Sequence, residues 1–306
     1  MEPFRSILVD IDATDSAQPA LERAWRLARE SGARLTIVDV MSVPAYARRY
    51  LPAGFEEEMG SRRRGDLERL AAGITDVPVE TRLFAGRGGT ALVDEVLASG
   101  HDLVVREAAR DLVAPRREPS GAVNMEILRR CPCSVLLVGP GGAAAQPGIA
   151  AAVNPGTEDG EADQAMNARI AEMASLMADL EGGSVTLLYA WEVFAEGMVR
   201  GLGTPEGYAD YIAAARRRAE DDLRRFTQSL RGRSSRVRAE LRRGEPEDVI
   251  PEFVVAEGVD LLVMGSVARR GIAGFFIGNT AERVLPRLPC SVLVVKPGES
   301  EPPSSA

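Results

Sequence analysis

The sequence predicts two tandem α/β domains, each a five-stranded parallel sheet with helices on both faces. Three observations carry that expectation. The first is internal repetition: CPCSVLLVG at 131–139 returns as LPCSVLVVK at 288–296, and residues 86–105 lie over 244–263 without a gap. The first apolar run, ILVDID at 7–12, likewise matches IAAAVN at 149–154. A repeat this long copies a whole domain, whereas solenoid units are far shorter. The second is alternation of near-continuous apolar runs with helix-like stretches, the pattern of a parallel sheet covered on both sides. The third is size, since 306 residues with 45% apolar content can bury two separate cores.

In chain order, Ser6–Ile11 reads as a buried strand. Thr14, Asp15 and Ser16 then offer N-caps to a helix whose apolar face is Ala20, Leu21, Ala24, Trp25, Leu27 and Ala28. Gly32 stops that helix, and residues 35–40 form the second strand. A charged helix over 55–72 leads to a third strand at 79–84. Thr90 is the expected cap of the next helix, followed by a strand at 103–105, a helix near 124–130 and a strand at Ser134–Val138. The glycine- and alanine-rich segment 139–148 has the composition of a flexible linker. The second half repeats the order, with strands expected at 149–153, 185–189, 237–241, 261–264 and Ser291–Val295. A long helical region over 205–230 separates its second and third strands. This gives domains at 1–140 and 147–298 and a disordered tail at 299–306.

Composition excludes several classes of function. A net charge of −8 argues against broad binding to nucleic-acid phosphates. The runs Arg62-Arg63-Arg64 and Arg216-Arg217-Arg218 sit among acids and read as solvated helix faces. No apolar run reaches the roughly 18–20 residues of a membrane span, and the first residues lack a signal-peptide layout, so a cytoplasmic protein is expected. Three cysteines make no disulfide framework and read as small hydrophobes at strand entries. The single histidine, His101, reads as a turn or surface residue, and with it alone a Ser-His-Asp triad is barely attainable. Asp10, Asp12 and Asp15 could hold Mg2+, but capping and solvation account for them more simply. Trp25 and Trp191 lie on core-like segments.

One segment carries a candidate site. After the fourth strand of the second half, the chain runs from Gly265 to Gly278, Asn279 and Thr280 and enters a helix at 281–288. Ligands of an open parallel sheet bind beyond the carboxyl ends of its strands. A loop closing there on a helix N-terminus presents backbone N–H groups to an anion, with glycines allowing close approach and positive φ. Asn279 is the expected N-cap, with Glu282 completing a capping-box spacing. The same features also describe a plain turn before a well-capped helix, and the spacing matches neither the Walker loop nor the dinucleotide fingerprint.

ILVDID, GNTAERVL and PCSVLVVKP, set in this duplicated frame, resemble the tandem form of the universal stress protein family over nearly the whole chain. The resemblance implies two Rossmann-like domains of the adenine nucleotide alpha hydrolase type, forming an intramolecular pseudo-dimer in which Ser134–Val138 meets Ser291–Val295, with a homodimer of whole chains also open. It implies a non-catalytic stress-response protein with ATP or another adenine nucleotide as ligand, and Mg2+ only with the nucleotide. The family loop is Gly-x-x-Gly, nine residues, then Gly and Ser or Thr. Gly265 and Gly278 fit it, whereas Ala268 and Asn279 depart. Alanine at a positive-φ position costs on the order of 1 kcal/mol, and the two departures together weaken binding by about tenfold to a thousandfold. The family's base-side Asp is Asp12 in the first half and Asn154 in the second. The expected cofactor-binding set is therefore Asn154, Ala190, Met264, Gly265, Ala268, Gly278, Asn279 and Thr280. The first half lost the loop, with Glu107, Pro115 and Pro119 in its place and Gly121 surviving, and reads as a non-nucleotide domain. Two alternatives stay open: a scaffold whose degenerate pockets take a different small ligand, and a slow ATPase using Arg269 and Arg270 for charge.

Overall fold

The computed structural model describes residues 3–43, 45–108, 120–140, 145–156, 161–230, 237–266 and 277–297. By contact density the chain divides into two units. The first contains β1 (Ser6–Ile11), α1 (Pro19–Ser31), β2 (Arg34–Met41), α2 (Ala45–Arg48), α3 (Phe55–Ala72), β3 (Val79–Ala85), α4 (Gly88–Ser99), β4 (Leu103–Glu107), α5 (Ser120–Arg130) and β5 (Ser134–Val138). The second contains β6 (Gly148–Ala152), α6 (Glu161–Glu181), β7 (Ser184–Trp191), α7 (Glu196–Leu202), α8 (Pro205–Ser229), β8 (Val237–Arg243), α9 (Pro246–Ala256), β9 (Leu261–Gly265), α10 (Asn279–Val284) and a 3-10 turn at Leu285–Arg287.

In the first unit the strands lie in the order β3-β2-β1-β4-β5, all parallel. Every residue of β1 is buried, which requires cover on both faces of the sheet. In the second unit the order β9-β6-β7-β8 repeats the order β4-β1-β2-β3, again all parallel. Both outer strands, β3 and β8, carry charges such as Glu80, Arg82, Arg238 and Glu240, which discourage further pairing. The last strand, β10 (Ser291–Val295), groups with the first unit and runs antiparallel to β5, setting Val292 against Leu137 and Val294 against Val135. That is the meeting of Ser134–Val138 and Ser291–Val295 expected from the sequence.

The strand positions follow the apolar runs closely, but three caps differ from expectation. α1 begins at Pro19, with Gln18 at the cap position and no side-chain cap bond. Thr14 is drawn instead into a turn, donating to Asp12 Oδ1 through its amide at 3.0 Å and its hydroxyl at 2.6 Å. A carboxylate outcompetes a hydroxyl cap, and proline is preorganised for the first helical position. Thr90 lies inside α4, whose hydroxyl donates to Glu126 at 2.9 Å. Asn279 is the first residue of α10 and Gly278 its cap, so the Asn279–Glu282 capping box does not form.

β5 and β10 are buried at every position. Just beyond β5, a Cβ on Gly139 would lie 2.7 Å from the carbonyl carbon of Cys290 and 2.9 Å from the amide of Ser291. The Gly139 amide donates to Ser291 Oγ at 3.0 Å. Any side chain there must push the β10 backbone away. Gly139→Ala is therefore expected to lower unfolding free energy by about 1–3 kcal/mol, and Val292→Asp by about 3–5 kcal/mol as an uncompensated buried charge. Urea unfolding checks both; unchanged midpoints would contradict the pairing.

Candidate functional site

The strand order of the second unit reverses between β6 and β9, and a crevice opens at the carboxyl ends of such strands. A cavity of about 1260 Å³ occupies this place. It is lined by the ends of β6, β7 and β9, by α6 and α8, and by the first residues of α9 and α10. Of the residues expected from the sequence, Asn154, Ala190, Met264, Gly265, Gly278, Asn279 and Thr280 all line it. Ala268, like Arg269 and Arg270, lies outside the described residues.

Local chemistry fixes the walls. The buried Asn167 of α6 grips the backbone of Asn154, accepting from its amide at 2.9 Å and donating to its carbonyl at 2.8 Å. The chain leaving β6 is thereby held in one conformation, with the exposed Asn154 at the cavity mouth. Gly156 passes so close to Tyr189 that a Cβ would sit 2.3 Å from the phenol oxygen. Burial, and then the nearby Asp222, push the Tyr189 hydroxyl above its usual pKa, so it stays a neutral donor. A Cβ on Gly265 would meet Met166 at 3.2 Å and Ile170 at 3.3 Å, so α6 approaches the end of β9 closely. The other wall is Trp191, buried at the end of β7 with the guanidinium of Arg243 5.8 Å from its ring centre.

The expected phosphate end differs in detail. The Gly278 amide donates to Ser266 O at 2.8 Å, tying the end of the loop back to its start. Gly278 has φ −66° and ψ 152°, ordinary extended backbone, and Gly265 is not at positive φ either. Close approach, rather than left-handed backbone, is what glycine supplies here. The amides of Asn279, Thr280 and Ala281 precede the first intrahelical bond of α10, which Glu282 makes to Gly278 O at 3.0 Å. α10 has only six residues, and its dipole is correspondingly small. The hydroxyl missing at Asn279 is present one residue on, at the cavity-lining Thr280. Among the described residues the lining carries five carboxylates, Asp163, Glu192, Asp222, Glu245 and Glu247, against two guanidinium groups, Arg218 and Arg283. Arg283 is committed to Glu247 at 2.6 Å.

Trp191, Tyr189, Asn167 and Met166 were not expected at the site from the sequence. Trp191 read as core because it continues an apolar run, yet its place at a strand's carboxyl end is itself a site signal. Asn167 and Met166 lie within a helical stretch and give no such cue.

The corresponding place in the first unit carries ion pairs. Arg63 of α3 reaches both oxygens of the buried Asp39, at 2.7 and 2.6 Å, and lies 3.5 Å from Asp12. Arg106 pairs with the buried Asp10. Asp12, the expected base-side acid, is already engaged by Thr14 and Arg63. Asp10 and Asp12 at the end of β1 thus meet arginines and turn donors, and no metal-holding group of three or more His, Cys, Asp or Glu occurs among the described residues. His101 occupies the turn before β4 but is buried, its Nδ1 2.9 Å from Ser6 Oγ and its Nε2 3.4 Å from Glu95. Burial, first of its influences, holds its pKa below the usual histidine value.

Burial pushes the Asp10 carboxyl from 3.8 up to about 6, outweighing the pull of Arg106. The folded protein then keeps a proton that the unfolded chain has released, so stability falls as pH rises from 3.8 to about 6. This group alone accounts for about 1.4 kcal/mol per pH unit over that window. Asp10→Asn lacks this term, so its stability deficit relative to wild type is expected to shrink as pH rises from 3.8 to about 6. Urea unfolding across that range checks it, and a constant deficit would contradict it.

The model of the universal stress protein family matches residues 3–139 and 157–296. The chain is 28% identical over 323 residues to Universal stress protein E of Escherichia coli, covering 99% of this chain and 97% of that protein. It is 25% identical over 313 residues to the Universal stress protein E homolog of Haemophilus influenzae, covering 97% and 99%. Two solved structures share the fold: a functionally unknown protein from Pseudomonas aeruginosa, with TM-score 0.68 and 23% identity, and a universal stress protein from Archaeoglobus fulgidus, with TM-score 0.67 and 14% identity. Each covers 97% of this chain, which covers 94% and 97% of theirs. With both halves matched by the family model, the chain belongs to the universal stress protein family.

Proposed function

We propose that this chain is a non-catalytic, cytoplasmic stress-response protein whose second half, residues 147–298, holds an adenine nucleotide. Its first half, residues 1–140, holds none. The observation that carries this reading is convergence: every described residue of the expected set lines the one cavity at the ends of β6, β7 and β9. In this reading the base lies toward Asn154 and Ala190, and the phosphate toward Gly265 and the amides of Asn279 and Thr280. Met264 forms the floor between them.

The charge of the lining bears on how many phosphates are tolerated. Among the described residues, five carboxylates against two arginines repel each added phosphate. AMP is therefore expected to bind more tightly than ATP, and Mg2+ to enter only with the nucleotide. A second reading, a scaffold binding a different small ligand, draws on the same excess of acid and on Phe194, which lines the cavity yet is 86% exposed. A slow ATPase would need a metal and a base placed at the phosphate end.

Calorimetric titration of wild type and Ala268→Gly with AMP and ATP tests the reading. AMP should bind wild type more tightly than ATP. Ala268→Gly should tighten both by about tenfold, equivalent to ~1.4 kcal/mol. Failure of both proteins to bind either nucleotide would overturn the nucleotide reading, and steady release of phosphate from ATP would overturn the non-catalytic one.

A further inference from the structure

The junction between α5 and β5 holds two cysteines and a buried cation that the nucleotide reading does not use. Cys131 closes the last turn of α5, its amide donating to Ile127 O at 2.8 Å. Pro132 follows, and Cys133 leads into β5. The two sulfurs are 3.4 Å apart, with Cys131 buried and Cys133 half-buried. Across from them, the antiparallel register that sets Val135 against Val294 continues to bring Lys296 opposite Cys133. Lys296 is buried, and its ammonium donates to Leu128 O.

This arrangement occurs at one end of the β5–β10 pair only. The repeat counterpart of Cys131 is Leu288, so Cys290 has no second thiol two residues before it. The counterpart of Lys296 is Gly139, where even a Cβ would collide with the backbone of Cys290. A dithiol needs two sulfurs in reach, and a thiolate is favoured by a nearby cation; residues 131, 133 and 296 bring both together. A buried structural cysteine needs neither.

We propose that Cys131 and Cys133 form a peroxide-oxidisable dithiol, with Cys131 the attacking sulfur, Cys133 the resolving one and Lys296 holding the thiolate. The S–H of Cys133 draws the Cys131 thiol below its usual pKa, aided by Lys296 and opposed by burial. Cys133 is itself pushed up, first by Cys131 and then by burial. Burial also lowers the Lys296 ammonium, and the two sulfurs pull it back up. Of the two thiols, Cys131 is therefore the one that gives up its proton first.

The oxidant is hydrogen peroxide. The Cys131 thiolate attacks one peroxide oxygen and the O–O bond breaks. The departing hydroxide takes the proton of Cys133, leaving Cys131 as a sulfenic acid, one water and a Cys133 thiolate. That thiolate attacks the Cys131 sulfur, the S–S bond forms, and hydroxide leaves to take a proton from solvent. Two thiols and one peroxide thus become one disulfide and two waters, the sulfurs oxidised and the peroxide oxygens reduced. The sulfurs must close from 3.4 Å to a bond of about 2.05 Å.

The full chain carrying Cys290→Ser, treated with peroxide and digested, should yield a peptide containing both cysteines that lacks two hydrogens and regains them with dithiothreitol. Cys133→Ser should stop at a Cys131 sulfenic acid that a dimedone probe captures. Lys296→Gln should slow disulfide formation by about tenfold and Lys296→Arg should restore it, since the thiolate depends on a nearby cation. Both thiols staying reduced under peroxide that oxidises the urea-unfolded chain would overturn the proposal. So would probe capture on Cys133 in place of Cys131 in the single-cysteine variants, a readout that leaves Lys296 untouched. Wild-type rates in a folded Lys296→Gln variant would overturn the part given to the lysine.

Discussion

The pairing of Arg63 with Asp39 and Asp12 is what most separates the two halves of this protein at the carboxyl ends of their strands. A doubly wound sheet always leaves room beyond the strand ends where its order switches. In the first unit Asp39 is buried at the end of β2, and a buried carboxylate is tolerated only with a close partner. Arg63 therefore has to stay, and its guanidinium stands at the strand ends beside Asp39 and Asp12. Asp10 and Arg106 impose the same condition on each other one strand away. The second unit has Ala152, Tyr189 and Met264 at the places of Asp10, Asp39 and Arg106. None of these needs an ion partner, so no side chain is obliged to fill the crevice. The same backbone order thus carries ion pairs at the strand ends of one unit and a cavity at those of the other.

The walls of that cavity are rigid where binding would need rigidity. Asn167 fixes the turn after β6 with two hydrogen bonds, and Gly156 and Gly265 let Tyr189 and α6 come close. Preorganised walls spend little of a ligand's binding energy on ordering the protein. In the proposed reading the charge of the lining limits the ligand: Arg283 is held by Glu247, and among the described residues the acids outnumber the bases.

Much of this was legible in the residues. The limits of β1, β5 and β10 follow from apolar runs bounded by polar or proline-containing turns, and α3 from its charged helical stretch. The duplication announced two similar units, and the candidate residues at strand ends converged because position along a parallel strand is readable. What was not legible depends on partners distant in the chain. Thr14 left its expected capping role because the Asp12 carboxylate accepts its hydrogen bonds. His101 is buried because Ser6 and Glu95, from β1 and α4, close around it. Trp191 and Asn167 became cavity residues only once β7 and α6 were packed. The Asp39–Arg63 pair joins residues in separate elements, and only packing brings them together at the strand ends of the first unit.

The asymmetry between the units is tested most directly by counting. Native mass spectrometry of the full chain with saturating AMP, followed by digestion after photocrosslinking with an azido-AMP, reads both stoichiometry and location. One nucleotide per chain is expected, with the label on peptides from β6, β7, β9 or α10. Two per chain, or a label on the peptides carrying Asp12, Asp39 or Arg63, would contradict the proposal that the second half alone holds a nucleotide.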